Sequence, residues 1–147
     1  LTPFLGAFID RKGKAASMLM VGSLIMIACH LSFAFLLPMF PSKVLAVAII
    51  AILGVSFSLV PAALWPSVPK LVEERYLGSA YSVIFWIQNI GLMAFPIIIG
   101  WALDKTGNYT LPMLIFASLG ILALVLGIWL KAEDKKKGYG MELPNIK

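Results

Sequence analysis

Residues 10–43 read DRKGKAASMLMVGSLIMIACHLSFAFLLPMFPSK: four charges in five positions, then 28 residues without one, then Lys43. A hydrocarbon core about 30 Å thick is crossed by roughly 20 helical residues, so an uncharged run of this length spans with its interfacial ends to spare. The pattern occurs three more times, at 44–69, 76–103 and 106–130, and the four runs take up 107 of 147 residues. All 19 charged side chains stand in the other 40 positions. Charge is 13% of the chain, where an average soluble domain carries about 25%. The sequence therefore describes an all-α membrane protein with four transmembrane helices, and a soluble enzyme is excluded.

The charges that remain are sorted by side. Arg11, Lys12, Lys14, Lys70, Arg75, Lys131, Lys135, Lys136, Lys137 and Lys147 fall in the first loop, the third loop and the tail, whereas the second and fourth loops hold only Lys43 and Lys105. Cytoplasmic loops carry the excess of Lys and Arg. The ten-to-two split puts both ends of the chain in the cytoplasm, and it accounts for the net charge of +5 by orientation, without a nucleic-acid partner. Cys29 is alone and mid-run, so it reads as a buried structural thiol. The Asn108-Tyr109-Thr110 sequon on the other side reads as a polar turn too close to the bilayer for a glycan.

Residues 1–9 are apolar and run straight into charge, as the end of a preceding transmembrane helix would, and they lack the layout of a signal peptide. Residues 10–14 then form a cytoplasmic loop, 15–130 the four-helix segment, and 131–147 a basic cytoplasmic tail. Spans are expected at 15–37, 44–64, 77–103 and 111–130. Proline stops the first at Pro38 and Pro41, and the Trp65-Pro66-Ser67-Val68-Pro69 run breaks the second at the interface. Two outgoing helix ends share a pattern: Gly6…Asp10-Arg11-Lys12-Gly13-Lys14 and Gly100…Asp104-Lys105-Thr106-Gly107-Asn108 both read G-x-x-x-D-[RK]-x-G. The first glycine lets the helix end pack closely and the second permits a turn with positive φ.

The first copy, with Gly6, Asp10, Arg11, Gly13 and Lys14, resembles the loop signature of the major facilitator superfamily, found between its second and third helices and in weaker form between its eighth and ninth. Four further spans with cytoplasmic ends should follow the later position, which matches the charge count. The resemblance implies helices nine to twelve of a twelve-helix carrier whose earlier helices lie outside this chain. Ala63-Leu64-Trp65-Pro66, Leu77-Gly78-Ser79-Ala80-Tyr81 and Ile87-Gln88-Asn89-Ile90-Gly91-Leu92 look like the group named for major facilitator superfamily domain-containing protein 1, whose vertebrate members are lysosomal dipeptide carriers. That resemblance implies transport of a small polar solute, with dipeptides among the candidates. The membrane would be the inner membrane for a bacterial carrier and the lysosomal membrane for a vertebrate-type member. The family fold also implies that the third and second spans face a central cavity, and that Asp10 is a latch whose carboxylate caps a helix of the opposite half.

Gln88 and Asn89 are adjacent amides at mid-depth, where polar groups face protein or a water-filled path. They either contact substrate or bridge helices. Tyr81, Phe85, Gln88 and Leu92 share one helical stripe, and Ser82, Trp86 and Asn89 the next. Trp65 and Tyr81 near the inner end read as an interfacial belt or a gate. The candidate substrate-binding set is thus Gln88, Asn89, Tyr81, Phe85, Trp86 and Trp65. Ser56 and Ser58 are expected to bond back to their own helix, and His30 to be a neutral packed histidine. No span contains Asp or Glu, and the lone His30 has no partner at catalytic or metal-ligating spacing, so catalytic residues, metal and cofactors are all absent from the reading. The alternative is a self-contained four-helix scaffold or small exporter. Against the exporter, the first span has no membrane carboxylate.

Overall fold

The computed structural model describes residues 1–145, and Lys147 of the basic tail lies outside them. A leading helix (Thr2–Lys12) is followed by four helices long and apolar enough to cross a membrane: the first span Ala15–Met39, the second Lys43–Leu71, the third Glu74–Thr106 and the fourth Thr110–Lys137. There is no strand among the described residues. Closed helical hydrogen bonding is what a bilayer demands of a spanning backbone.

The proline positions behave differently from expectation. The first span passes Pro38 and ends at Met39, because the preceding turn, Ser32–Leu36, is wound wider as a π-helix in which Leu37 N–H donates to Ser32 O. Such a turn relieves the clash between a proline ring and the carbonyl four residues back. The second span is not broken at Trp65 either. Its α-helix runs from Lys43 to Leu64, tightens to a 3₁₀ turn over Trp65–Ser67 and resumes over Val68–Leu71, with Pro66 and Pro69 each at the opening of its short helical piece.

The first span is the centre of the bundle and packs against both the second and the fourth. Over Ala15–Leu31 its buried residues come in adjacent pairs seven apart, Ala15 with Ala16, Gly22 with Ser23, and Cys29 with His30. Five of the six are small or slender, which lets two neighbours approach at once. Lipid tails are as apolar as leucine, so close packing and interhelical hydrogen bonds drive association in a membrane. Both are present: Ser56 Oγ, fully buried, donates to Gly22 O at 2.7 Å, and at Gly120 of the fourth span a Cβ would stand 2.7 Å from Ile27 Cγ1. Ser56 therefore ties two helices and does not bond within its own, because Gly22 offers its carbonyl with no side chain in front of it. Gly6 and Gly100 have open space where a Cβ would stand, so the close approach expected at those two falls instead on Gly120 and Gly22. The leading helix joins through Ile9, which packs with Ala15, Leu59, Ala62 and Ala63.

The third span is attached along one edge. Among its helical residues Leu77–Thr106 only Ala102 is buried. Phe95 reaches the fourth span at Phe116, 6.4 Å between ring centroids, and Phe116 continues to His30 at 5.2 Å. His30 is buried and its Nδ1 lies 2.7 Å from Met26 O, so the ring is held within its own helix as a packed histidine.

Candidate functional site

Two constellations sit on this scaffold. One gathers around Trp65, where the second span turns. Pro69, four residues on, has no N–H to give the Trp65 carbonyl, and the Tyr81 hydroxyl donates to it at 3.2 Å. The Trp65 ring stacks on Phe85 at 5.0 Å between centroids and meets Tyr81 at 5.8 Å. Trp65, Tyr81 and Phe85 thus form one aromatic cluster that links the second and third spans. Offset aromatic contacts of this kind contribute about 0.5–1.5 kcal/mol beyond the area they cover.

Gln88 lies one turn deeper than Phe85 on the same helix and is exposed, with no side-chain hydrogen bond among the described residues. Asn89 is exposed too, and its Nδ2 donates to Phe85 O at 2.8 Å on its own helix. Trp86, 68% exposed, stands apart from the aromatic cluster and shares the outward stripe with Ser82, whose hydroxyl bonds back to Gly78 O. The structure therefore brings together three of the six candidates, sets Gln88 above them with its amide oxygen and nitrogen uncommitted among the described residues, and leaves Trp86 and Asn89 on the neighbouring face. Beneath the cluster is an open apolar pocket of about 440 Å³, lined among others by Leu64, Val68, Ala80, Ile84, Leu130 and Met141.

The other constellation is at the same end of the bundle, around the loop at 10–14. Gly13 has φ +73° and ψ −143°, a conformation open to glycine, and Lys14 follows in the left-handed region at φ +64°. In the similar run at the end of the third span, Gly107 is an ordinary left-handed helix cap. The difference is the C-terminal segment. The fourth span continues to Lys137, and after Gly138 the chain folds back across the loop. Lys14 N–H donates to Glu142 O and Ala15 N–H to Met141 O, each at 3.1 Å. Glu142 accepts from Ser17 N–H at 2.9 Å and from Ser17 Oγ at 2.8 Å. Asn145 donates its backbone N–H to Asp10 O at 2.8 Å and its side-chain amide to Asp10 Oδ1 at 2.6 Å. Lys70 Nζ donates to Gly140 O and Leu143 O, both at 2.9 Å. Asp134 Oδ1, buried, accepts from Met141 N–H at 3.0 Å.

The basic segments of the first loop, the third loop and the tail thus meet at one end. Arg11 and Lys12 are exposed there. Reading 131–147 as a basic tail overlooked Met141, Glu142 and Asn145. One signal was available: the first span opens with no Ser, Thr, Asp or Asn at Lys14 and no acid in its first turn, so its orphan N–H groups needed an acceptor from elsewhere.

The chain is similar in sequence to known proteins. The chain is 35% identical over 130 residues to the lysosomal dipeptide transporter MFSD1 of Bos taurus, covering 86% of this chain and 26% of that protein. It is 34% identical over 142 residues to the protein of the same name from Danio rerio, covering 97% of this chain and 29% of that protein. The human protein of that name is 34% identical over 128 residues, 86% of this chain and 26% of its own length. The chain thus spans between a quarter and three-tenths of the curated relatives it matches. No solved structure matches it. The Major Facilitator Superfamily profile matches residues 1–140, nearly the whole chain. With four spanning helices of the expected spacing and this match, the chain belongs to the Major Facilitator Superfamily and is part of an integral, multi-pass membrane protein.

Proposed function

We propose that this chain supplies the last four helices of a twelve-helix carrier that moves a small polar solute, a dipeptide by preference, by alternating access. Two halves rock around a site near the midplane, each state exposing it to one side, and no bond is made or broken. The single observation that carries this reading is the third span: Gln88, above the Trp65, Tyr81 and Phe85 cluster, lies exposed on a helix of which only Ala102 is buried among the described residues. An unpaired amide facing hydrocarbon costs several kcal/mol, so Gln88 faces solute, water or another helix of the carrier. The relatives, named as dipeptide transporters, support the solute class.

In this reading Gln88 hydrogen-bonds the solute's peptide group. The aromatic cluster closes the inner end, with the Tyr81 hydroxyl bond to Trp65 O as its catch. Trp86 and Asn89 contribute from the neighbouring stripe. Asp10 is the latch, with Gly6, Arg11, Gly13 and Lys14 completing its loop. Both ends of the chain are cytoplasmic, in the inner membrane of a bacterium or in a lysosomal membrane. A dipeptide's ammonium and carboxylate need charged partners, and any such partner comes from the earlier helices, as does any coupling carboxylate.

The test is uptake by proteoliposomes holding the full carrier. Labelled dipeptides, single amino acids, sugars and a cationic drug are compared, with and without a pH gradient. Saturable dipeptide uptake that excess unlabelled dipeptide suppresses is expected. Uptake of sugars or drugs with no dipeptide competition would overturn the solute class, and no uptake of any class would favour the scaffold reading.

A further inference from the structure

The segment at 140–145 is built into the bundle by three independent means. Met141 is fully buried, with its N–H on the buried Asp134 carboxylate. Glu142 supplies the helix cap that the first span lacks in its own sequence, a carboxylate at the positive end of a helix dipole, and Lys131 Nζ reaches the same Ser17 hydroxyl at 2.6 Å. Gly13 gives way to it: a Cβ there would lie 2.5 Å from Glu142 O and 2.8 Å from Pro144 N. What this anchored segment presents at its far end is Asn145, which holds Asp10 by both its backbone carbonyl and its carboxylate.

We propose that residues 140–145 are a strap whose role is to position the Asp10 carboxylate, with Asn145 as the positioning residue and Glu142 and Met141 as its anchors. The proposal rests on the reading of Asp10 as the conformational latch. Asp10 lies half-buried in the last turn of the leading helix, and a free carboxylate at that helix end would sample several rotamers. With Oδ1 taken by the Asn145 amide, the carboxylate is fixed in plane and Oδ2 is turned to one direction. A latch that must meet a helix N-terminus on the opposite half is faster to engage when it is already aimed. Met141 lines the apolar pocket, but among the described residues the strap makes no hydrogen bond to Gln88 or to the Trp65 cluster, so its loss is expected to change the rate at which the carrier changes state and to leave solute affinity alone.

Two measurements on the full-length carrier test this. In a Cys29→Ser background, Met141→Cys reports docking, because a buried thiol reacts with maleimide only when the strap lifts. Labelling of the parent is expected to be slow, and Glu142→Ala or Asn145→Ala should speed it about tenfold, the scale of losing one hydrogen bond to a charged group. In the carrier without the reporter, Asn145→Ala is expected to lower transport turnover about tenfold with KM unchanged. Asp10→Asn should do the same, and the Asp10→Asn, Asn145→Ala double variant should be no slower than Asp10→Asn alone. Fast labelling of the parent shows an undocked strap and overturns the proposal. So does a double variant slowed by the product of the single effects, or a released strap with normal turnover while Asp10→Asn is slow. Normal turnover in Asp10→Asn itself removes the latch reading, and the labelling then still reports whether the strap docks.

Discussion

At the scale of single residues, two side chains separate what a sequence can say from what a neighbour decides. Serine in a helix usually returns its hydroxyl to the carbonyl one turn back, and Ser23, Ser67 and Ser82 do so. Ser56 is likewise inside a helix and bonds Gly22 O instead, because the facing helix puts a bare carbonyl 2.7 Å away. Ser56→Ala is expected to cost about 0.6–2 kcal/mol, the range for interhelical hydrogen bonds in membranes, seen as a lower melting temperature of the purified carrier in detergent. Ser58→Ala should leave it unchanged. Gln88 is the opposite case, a polar group that the described residues leave alone. Gln88→Leu is expected to raise the KM for the solute about tenfold, the effect of one lost hydrogen bond to a polar ligand, with protein yield in the membrane preserved. An unaltered KM would take Gln88 out of the site.

Between elements, spacing of charge made the spans readable, and packing did not follow from it. Four uncharged runs mark four helices because a charge in hydrocarbon is costly whatever the fold. The ends were less readable: a π turn carries the first span past Pro38, and a 3₁₀ turn carries the second past Pro66, both set by main-chain geometry that composition does not report. The interface glycines were readable only as small residues. A Cβ at Gly120 would stand 2.7 Å from Ile27 Cγ1 and one at Gly54 would meet nothing within 4 Å, and nothing in the flanking sequence tells them apart. Gly120→Val is therefore expected to destabilise the carrier by about 1–3 kcal/mol through overpacking, and Gly54→Val to be neutral, by thermal unfolding followed with intrinsic tryptophan fluorescence. Of the candidate site, Tyr81 and Phe85 were found by their helical stripe and Trp65 as an aromatic at the inner end, and the three are in contact. The strap was hidden because Lys135, Lys136 and Lys137 dominate the tail's composition, while its anchors are one apolar residue, Met141, and one acid, Glu142.

For the whole molecule, the bundle divides into a tightly packed part and a loosely held helix. The leading helix and the first, second and fourth spans are fastened by small-residue packing, the Ser56 bond and the strap. The third span hangs on the Trp65 cluster and one edge of aromatics. On the proposed alternating-access reading, the packed part moves as a body and the third span lines the path. Accessibility at Gln88 tests that claim most directly. In the full carrier with Cys29→Ser, Gln88→Cys should react with a membrane-impermeant thiol reagent from either side of the membrane, and saturating dipeptide should slow the reaction. A thiol reached from neither side, or one indifferent to dipeptide, would contradict it.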